Sequence, residues 1–526
     1  AQSYHNWQSQ RALEMLLQGA AQPIEPAAEI AGGGLFWGAA QAATLDPLAL
    51  PEVTTPDAAA ISLTASALAP PSPAADTLFT RAEARSFGID KPLEFSMRDM
   101  WPPFWEGRSL SSGDLDGDGD IDLAVASTEA GLYLYENDGS GQFSRLALDP
   151  AAQAELAALT DLAIFNAVLV DIDNDGWLDL FLASYLKGNF WWRNHQGRFG
   201  DSPLQVVQGS EETPLAMALS FADLDRDGYL DLGLGNWAAG WYRRIPGEES
   251  RNRLVFNPDG RLDGKTAQDL PGIPGETLSL LFSDFDGDGM QDLIVGNDFD
   301  IPDYFYRGDG QGGLQMVTQP EGLIPHTTTT TMAVKVADLF NDTRPEIYLA
   351  QIAGRSSGVS ERLKMQPLAL YCDAIQDAQA RATCQQNMAI KDWYKSGNRF
   401  DPSYAGRCQT LAARNRDACK AMLIKDLAIQ KRDASLCTLI PAPQVVPRAY
   451  CDLHFKPSRQ PLAEEIALSH PQILRANVLL DWQGTAYADT AAAHGLEVGG
   501  WSWDTKVADF DQDGWQDLYI VNGTWV

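Results

Sequence analysis

The chain has 526 residues, with 71 acidic against 39 basic side chains and a formal net charge of −32. A surface this acidic repels nucleic acids and anionic membranes, which excludes both as general binding partners. The sequence lacks an apolar run of about 18 residues, so we expect no transmembrane helix. The length allows several domains or one large repeat domain.

Residues 1–19 are predicted to form one amphipathic helix, because apolar side chains recur at helical spacing before Gly19. The stripe consists of Trp7, Leu13, Leu16 and Leu17. We interpret it as a packing surface, with docking to a partner as the alternative. The chain begins Ala-Gln-Ser without a methionine, as expected of a mature exported protein after cleavage.

Residues 20–76 are rich in Ala, Pro, Thr and Gly and poor in charge, which predicts an extended arm or linker. The stretch Gly32–Trp37 is too apolar for a simple spacer. We therefore expect it to dock on the rest of the protein or on another chain. Residues 1–76 are the segment through which an oligomer or filament contact is expected.

A nine-residue pattern, D-x-D-x-D-G-x-x-D, organises the rest of the sequence. Five copies match it closely and one is degraded. We name them loops 1 to 6 in chain order: Asp114–Asp122, Asp171–Asp179, Asp223–Asp231, Asp284–Asp292, Asp338–Glu346 and Asp509–Asp517. Loop 5 is the degraded copy, in which Phe340 and Thr343 replace an aspartate and the glycine.

The residue types of these loops are those that hold calcium. Calcium prefers six to eight oxygen ligands, which carboxylates at positions 1, 3, 5 and 9 and a backbone carbonyl at position 7 can supply. Glycine at position 6 allows the positive φ of a sharp curl. The predicted calcium ligands are Asp114, Asp116, Asp118, Asp120 and Asp122 in loop 1; Asp171, Asp173, Asp175, Trp177 and Asp179 in loop 2; Asp223, Asp225, Asp227, Tyr229 and Asp231 in loop 3; Asp284, Asp286, Asp288, Met290 and Asp292 in loop 4; and Asp509, Asp511, Asp513, Trp515 and Asp517 in loop 6.

We expect about five Ca²⁺ sites, with loop 5 empty or weak. The alternative is that Asp-Gly turns only solubilise tight hairpins, which five near-identical copies disfavour. An EF-hand would need a glutamate at position 12 and flanking helices. Position 12 is apolar here and lies in a short run of β-formers, which predicts that each loop joins two strands of a hairpin.

The first five loops start 57, 52, 61 and 54 residues apart, a near-constant period that indicates a repeat architecture. Each repeat contains four strand candidates: one before the loop, one after it, an aromatic-rich one and a last one after a Gly/Asn turn. Four strands per repeat are typical of a β-propeller blade. Residues 77–355 are thus predicted to form the first propeller blades, and residues 473–526 the remainder.

The D-x-D-x-D-G-x-x-D-L repeats resemble FG-GAP/VCBS repeats, the calcium-bearing blades of integrin-α-like β-propellers. The phrases Leu78–Gly88 and Thr485–Thr490 are similar to those of cartilage acidic protein/ASPIC-type bacterial relatives. The resemblance implies a mainly β fold, calcium in the loops and a family-typical seven blades, of which six repeats are visible. Phe87-Gly88 and Phe199-Gly200 match the Phe-Gly signature of integrins, whereas Gly-Ala-Pro is absent, which weakens an integrin-like function.

Residues 356–472 interrupt the fifth repeat between its second and third strands, and their composition predicts an α-helical insertion. All six cysteines lie there: Cys372, Cys384, Cys408, Cys419, Cys437 and Cys451. An even count in an exported chain predicts three disulfides, for which fifteen pairings exist; we favour pairing within each internal repeat of the insertion. The absence of Cys-x-x-Cys argues against zinc, haem and thioredoxin-like chemistry.

The sixth repeat ends after its second strand, so its blade lacks two strands. We expect Leu78–Arg81 to supply the outermost strand and the native chain to continue beyond residue 526. Sequence motifs of catalysis are absent, so the protein is not expected to be an enzyme.

The leading hypothesis is a calcium-stabilised propeller, secreted, at the cell surface or in the periplasm, that binds protein or glycan in adhesion or scaffolding. One alternative is a propeller subunit or domain of an extracellular enzyme with a site at the central channel. The other is a building block of a surface fibre or layer.

Overall fold

The computed structural model describes residue 79 and residues 82–91, 109–127, 131–158, 163–207, 215–238, 247–262, 267–299, 301–352, 372–373, 375–393 and 400–522. The predicted helix of residues 1–19 and the arm of residues 20–76 lie outside the described residues. In the described part of the chain, every helix is too short or too polar to cross a membrane.

The fold is mainly β, as the sequence predicts, and its unit is a four-stranded antiparallel sheet with its strands in chain order. The described residues form five such sheets and a two-stranded sixth, which we number 1 to 6. Their strands are Leu110–Gly113, Asp122–Ser127, Gly131–Asn137 and Phe143–Arg145 in sheet 1; Ile164–Val170, Asp179–Ser184, Asn189–Trp192 and Gln205–Val207 in sheet 2; Ala216–Ala222, Asp231–Asn236, Arg253–Val255 and Ala267–Asp269 in sheet 3; Thr277–Ser283, Asp292–Asn297, Tyr304–Gly308 and Leu314–Met316 in sheet 4; Thr331–Ala337, Glu346–Gln351, Val478–Trp482 and Tyr487–Asp489 in sheet 5; and Ser502–Ala508 and Asp517–Asn522 in sheet 6.

The second strand of each complete sheet is the most buried element. In sheets 2 to 5 every residue of this strand is buried, because apolar side chains point to both faces and a neighbouring sheet covers each face. The last strand is the outermost, and Ala267–Asp269 is exposed along its whole length. Burial therefore falls from the inside of each sheet to its outer edge.

Consecutive sheets stack through their first strands. The first strand of each sheet contacts the first strand of the next one, from sheet 1 through to sheet 6. Five separate apolar cores fill the spaces between successive sheets. Because every core belongs to two sheets, each sheet is stabilised mainly by its neighbours, as in other repeat architectures.

The helical insertion leaves and re-enters sheet 5 between its second and third strands, as the sequence predicts. Its helices are Ala378–Trp393, Ser403–Cys408, Ala413–Lys431, Val445–His454 and Ala463–Leu468, and one further helix, Pro150–Ala158, follows sheet 1. Where the chain returns, Gln472–Ile473 pairs in parallel with Thr327–Thr328. Short 3-10 helices span Ala84–Phe87, Glu248–Ser250, Gln319–Glu321 and Ala434–Leu439.

The three disulfides join cysteines within each internal repeat of the insertion, which confirms the favoured pairing. They are Cys372–Cys384, Cys408–Cys419 and Cys437–Cys451, with Cα–Cα distances of 5.5, 5.7 and 5.7 Å. Four of the six cysteines are also buried in the apolar core where the insertion meets sheets 2 and 3. The bridges thus staple the helices beside the surface on which they dock.

The insertion docks on the edge of the sheets opposite the aspartate loops. Its buried residues share one core with Phe165, Tyr185, Leu215 and Trp237. These four side chains lie at the start of a first strand or just after a second strand. Each loop joins the end of a first strand to the start of a second, so the insertion and the loops are at opposite edges of the sheets.

A short N-terminal segment contacts both the first and the last sheet. Phe79 packs edge-on against Phe510 and Tyr519 of loop 6 and sheet 6, with both ring centroids at 5.3 Å. Eleven residues later, Asp90 forms an ion pair of 2.6 Å with Arg145 in sheet 1. Of the expected strand Leu78–Arg81, the structure describes Phe79 alone, so the strand itself stays a prediction.

A buried carboxyl group fastens sheet 4 to sheet 5 at the edge away from the loops. Asp303 is fully buried, and its Oδ1 accepts the backbone N–H of Asn297 at 2.8 Å. Its Oδ2 accepts the hydroxyl of Thr331, at the start of sheet 5, also at 2.8 Å. Burial raises the pKa of Asp303 to about 7.

This raised pKa predicts a pH dependence of stability. The pKa in the folded state lies above the unfolded value, so the contribution of Asp303 is complete below about pH 4 and is lost as the pH rises through 7. In Asp303→Asn we expect the free energy of unfolding to fall by about 2 to 3 kcal/mol less between pH 5 and pH 8 than in the wild type. Urea unfolding across this pH range tests the difference, with Asp259→Asn, an exposed carboxylate, as control. Parallel pH curves for wild type and Asp303→Asn would contradict it.

Candidate metal centres

Each aspartate loop occupies the same place in its sheet. Loop 2 begins at Asp171, directly after the first strand ends at Val170, and its position 9, Asp179, is the first residue of the second strand. The other loops follow the same rule. The stacking of the first strands therefore brings all six loops to one edge of the assembly, which we call the loop edge.

Three carboxylates converge in every loop that keeps the full pattern. One carboxylate oxygen from each of positions 1, 3 and 9 lies within 4.8 Å of the other two. The sets are Asp114, Asp116 and Asp122; Asp171, Asp173 and Asp179; Asp223, Asp225 and Asp231; Asp284, Asp286 and Asp292; and Asp509, Asp511 and Asp517. Three like charges at this separation repel one another, and a cation among them would remove that repulsion. Each set can hold a metal ion.

The curl of the loop comes from hydrogen bonds to the position-1 carboxylate. In loop 2, Asp171 accepts the backbone N–H of Asp175 at 3.1 Å and that of Gly176 at 2.9 Å. Gly176 has a φ of 89°, in the left-handed region where a side chain would be strained. The sequence pattern thus specifies the backbone conformation as well as the charge.

Position 5 forms a hydrogen bond within the turn. Asp175 lies outside the convergent set, and its Oδ1 accepts the backbone N–H of Trp177 at 3.0 Å. Its four equivalents accept the N–H of position 7 in the same way: Asp118, Asp227, Asp288 and Asp513. A turn-forming role is therefore visible for position 5. Its role as a ligand, and that of the position-7 carbonyl, stay predictions.

Position 9 is a hydrogen-bond acceptor as well as a candidate ligand. Asp179 is fully buried, and its Oδ2 accepts the N–H of Ile172 at 3.0 Å while its Oδ1 accepts that of Asn194 at 2.8 Å. The same pair of bonds recurs at Asp122, Asp231 and Asp292. Burial raises the pKa of Asp179 to about 7. Position 9 thus ties the loop to the third strand.

Two asparagines form hydrogen bonds that link a loop to the loop of the neighbouring sheet. The sequence analysis missed this role. The side-chain amide of Asn194 donates to the carbonyls of Leu115 in loop 1, at 2.8 Å, and of Leu178 in loop 2, at 3.1 Å. Asn257 bridges loops 2 and 3 in the same way, at 2.8 and 3.2 Å. In the sequence, each of these asparagines follows an aromatic residue near the end of the third strand by one or two positions. This pattern could have indicated them, but it does not identify their hydrogen-bond partners, which are distant in sequence.

Two arginines also reach the loops and were missed. Arg193 places its Nε 2.6 Å from Oδ2 of Asp173 and a terminal nitrogen 2.9 Å from Oδ2 of Asp175. Arg307 places its Nε 3.1 Å from Oδ2 of Asp286. The other oxygen of Asp173, Oδ1, is buried and accepts no hydrogen bond. A buried carboxylate oxygen left without a donor fits a bound cation, so the residues of loop 2 suit a metal ion.

Loop 5 keeps the turn and loses the carboxylate set. Asp338 still accepts the N–H groups of Asp342 and Thr343, and Glu346 still accepts that of Leu339. The ring of Phe340 at position 3 packs against His494, with centroids 4.7 Å apart. Apolar packing therefore replaces the third carboxylate. Loop 5 has the same hydrogen-bonded curl without a convergent set of acids.

The two roles of position 9 can be separated by removing the metal. In excess EGTA we expect Asp179→Ala to lower the free energy of unfolding by at least about 2 kcal/mol, because two buried N–H groups lose their acceptor. Asp179→Asn keeps one acceptor, so we expect roughly half of that loss. Urea unfolding measures both variants, with Asp227→Asn at an exposed turn position as control. Equal stability of Asp179→Ala and the wild type in EGTA would rule out the structural role.

The comparisons with known proteins agree with the repeat organisation. A family model described as an FG-GAP-like repeat matches residues 114–169, 171–234 and 284–349. Each match begins at position 1 of a loop, namely loops 1, 2 and 4. A search of curated proteins finds no match.

Among solved structures, the chain is similar to a lectin of Agrocybe aegerita whose title concerns specific recognition of non-reducing terminal N-acetylglucosamine. The similarity has 19% sequence identity and a TM-score of 0.29, and it covers 46% of this chain. The chain spans about 60% of the length of that lectin chain.

Proposed function

Because this chain carries FG-GAP-like repeats, we propose that it is a calcium-stabilised β-propeller, extracellular or at the cell surface, that acts as a binding or scaffolding module. The observation that carries the proposal is the repetition of the three-carboxylate set at the same hairpin of five sheets. One such set would be an ordinary acidic turn. Five sets along one edge are a regular array of cation sites.

Calcium fits these sets better than a transition metal. All of the converging side chains are carboxylates, and hard oxygen ligands select calcium or magnesium over zinc or copper. Calcium also accepts irregular coordination, which suits three carboxylates completed by backbone carbonyl and water. When bound, the ion would neutralise the acidic loop and join the two ends of the hairpin through positions 1, 3 and 9.

Two observations support a closed ring of blades. The first strands pack on one another in order from sheet 1 to sheet 6, as the inner strands of a propeller do. The segment that starts at Phe79 on sheet 6 reaches Asp90 on sheet 1, so the first and last sheets are connected through one short stretch of chain. Ring closure and a family-typical seven blades are part of the proposal.

An extracellular or surface location follows from the disulfides and the repeats together. All six cysteines are paired, and disulfides form and persist in oxidising compartments. Calcium outside cells is abundant enough to fill sites of modest affinity. We assign the partner to the class of proteins or glycans, since an acidic surface disfavours nucleic acids and anionic membranes.

Calcium removal tests the proposal directly. We expect excess EGTA to lower the melting temperature by about 10 °C or more, because several sites that bind only the folded state lose their ligand. Added calcium should restore the melting temperature, and elemental analysis of the dialysed protein should find calcium. The measurement is differential scanning calorimetry with and without EGTA.

A set of variants separates specific binding from a general salt effect. Asp116→Asn, Asp173→Asn and Asp225→Asn each remove one charge from a convergent set and should each reduce the calcium-dependent part of the shift. Asp338→Asn, in a loop without such a set, should leave it unchanged. An identical melting curve in EGTA and in calcium, with no calcium in elemental analysis, would end the proposal.

A further inference from the structure

From the structure we propose that the residue opposite position 9, at the end of the third strand or directly after it, sets the order in which loops 1 to 4 bind calcium. Arg193 and Arg307 weaken loops 2 and 4, and Glu136 strengthens loop 1. This inference rests on the proposed calcium function and adds the regulation of its sites.

The strand register defines the position. In sheet 2, Leu180 pairs with Trp192, so the next residue outward, Arg193, lies opposite Asp179. The corresponding pairs are Leu123 with Tyr135 in sheet 1, Leu232 with Val255 in sheet 3 and Leu293 with Tyr306 in sheet 4. The residues opposite position 9 in sheets 1 to 4 are therefore Glu136, Arg193, Phe256 and Arg307. The same structural position is therefore occupied by an acidic residue in sheet 1, by phenylalanine in sheet 3 and by arginine in sheets 2 and 4.

Each of the two arginines forms an ion pair with a candidate ligand carboxylate. Arg193 and Arg307 both contact position 3, through Asp173 and Asp286. The side chains of these aspartates are only 10% and 17% exposed, so their ion pairs are partly shielded from water. Each guanidinium reduces the negative charge that a cation would meet in the loop.

Loop 1 has the opposite balance. It carries five aspartates where the other complete loops carry four, and Glu136 lies opposite its position 9. The strand register makes Glu136 a direct cross-strand neighbour of Asp122, so a further negative charge lies beside this loop. The number of ligand charges tunes the affinity of calcium sites. Among loops 1 to 4, loop 1 should therefore fill first and loops 2 and 4 last.

The arginine pairs give loops 2 and 4 a stable form without metal. Arg193 bridges positions 3 and 5 of loop 2, which are the carboxylates that would otherwise repel each other. The arginine contacts Oδ2 of Asp173 and leaves the buried Oδ1 without a donor, so it should lower the affinity without occupying every oxygen of the site. The protein would thus gain stability in stages as calcium rises.

Calorimetric calcium titration of the full chain tests the order. We expect Arg193→Gln and Arg307→Gln each to tighten one site by about tenfold, and Glu136→Gln to weaken one site by about tenfold. Arg253→Gln is the matched control, because Arg253 pairs with Asp269 away from any loop and its loss changes the net charge equally. Arg193→Lys keeps the positive charge, so its calcium affinity should lie closer to that of the wild type than to that of Arg193→Gln.

A second substitution assigns the effect to its loop. In an Asp171→Asn background, which disables loop 2, Arg193→Gln should no longer change any calcium affinity. Melting curves of the metal-free variants confirm that each is folded before titration. No calcium binding by the wild type would overturn the proposed function itself. Calcium binding that Arg193→Gln leaves unchanged, or weakens, would overturn the order while leaving the proposed function standing.

Discussion

The buried carboxylate at position 9 is the interaction on which this structure depends. Asp179 and its equivalents in sheets 1, 3 and 4 lie where the first, second and third strands meet, and each accepts one N–H from its loop and one from a residue at the end of the third strand or just beyond it. A buried backbone N–H without an acceptor is costly, so this residue fixes the conformation of the loop before any metal is considered. The convergent carboxylates are positioned by the same bonds that hold the sheet together.

The two edges of the sheets have different chemistry as a result. The loop edge gathers acids, and the asparagine bridges join adjacent loops, so the loops form a connected polar array. The opposite edge is apolar where the helical insertion covers it, with Trp237 and Phe165 in its core. A metal ion at one edge and disulfide-stapled helices at the other would stabilise the same stack of sheets by independent means.

Loop 5 shows that the backbone curl and the metal site are separable. Its hydrogen bonds repeat those of the other loops, yet Phe340 packs on His494 where an acid would converge. The insertion emerges from the same sheet, after its second strand. Repeats with the same sheet can therefore differ in the charge of their loop and can carry an inserted segment, because the sheet tolerates both changes.

The sequence by itself determined the features that are local in the chain. The spacing of Asp and Gly predicted the hairpin loops, apolar runs predicted the buried strands, and the internal repeat of the insertion indicated which cysteines pair. These signals are complete within about sixty residues, so no knowledge of the fold is needed to interpret them.

Only the tertiary structure decided the contacts between distant parts of the chain. Asn194 bonds to a loop almost eighty residues earlier, and Phe79 meets Phe510 from the other end of the chain. Such partners are chosen by strand register and by the stacking of sheets, which no single repeat contains. The placement of the insertion opposite the loops has the same cause, because apolar surface is exposed there only once the sheets have stacked.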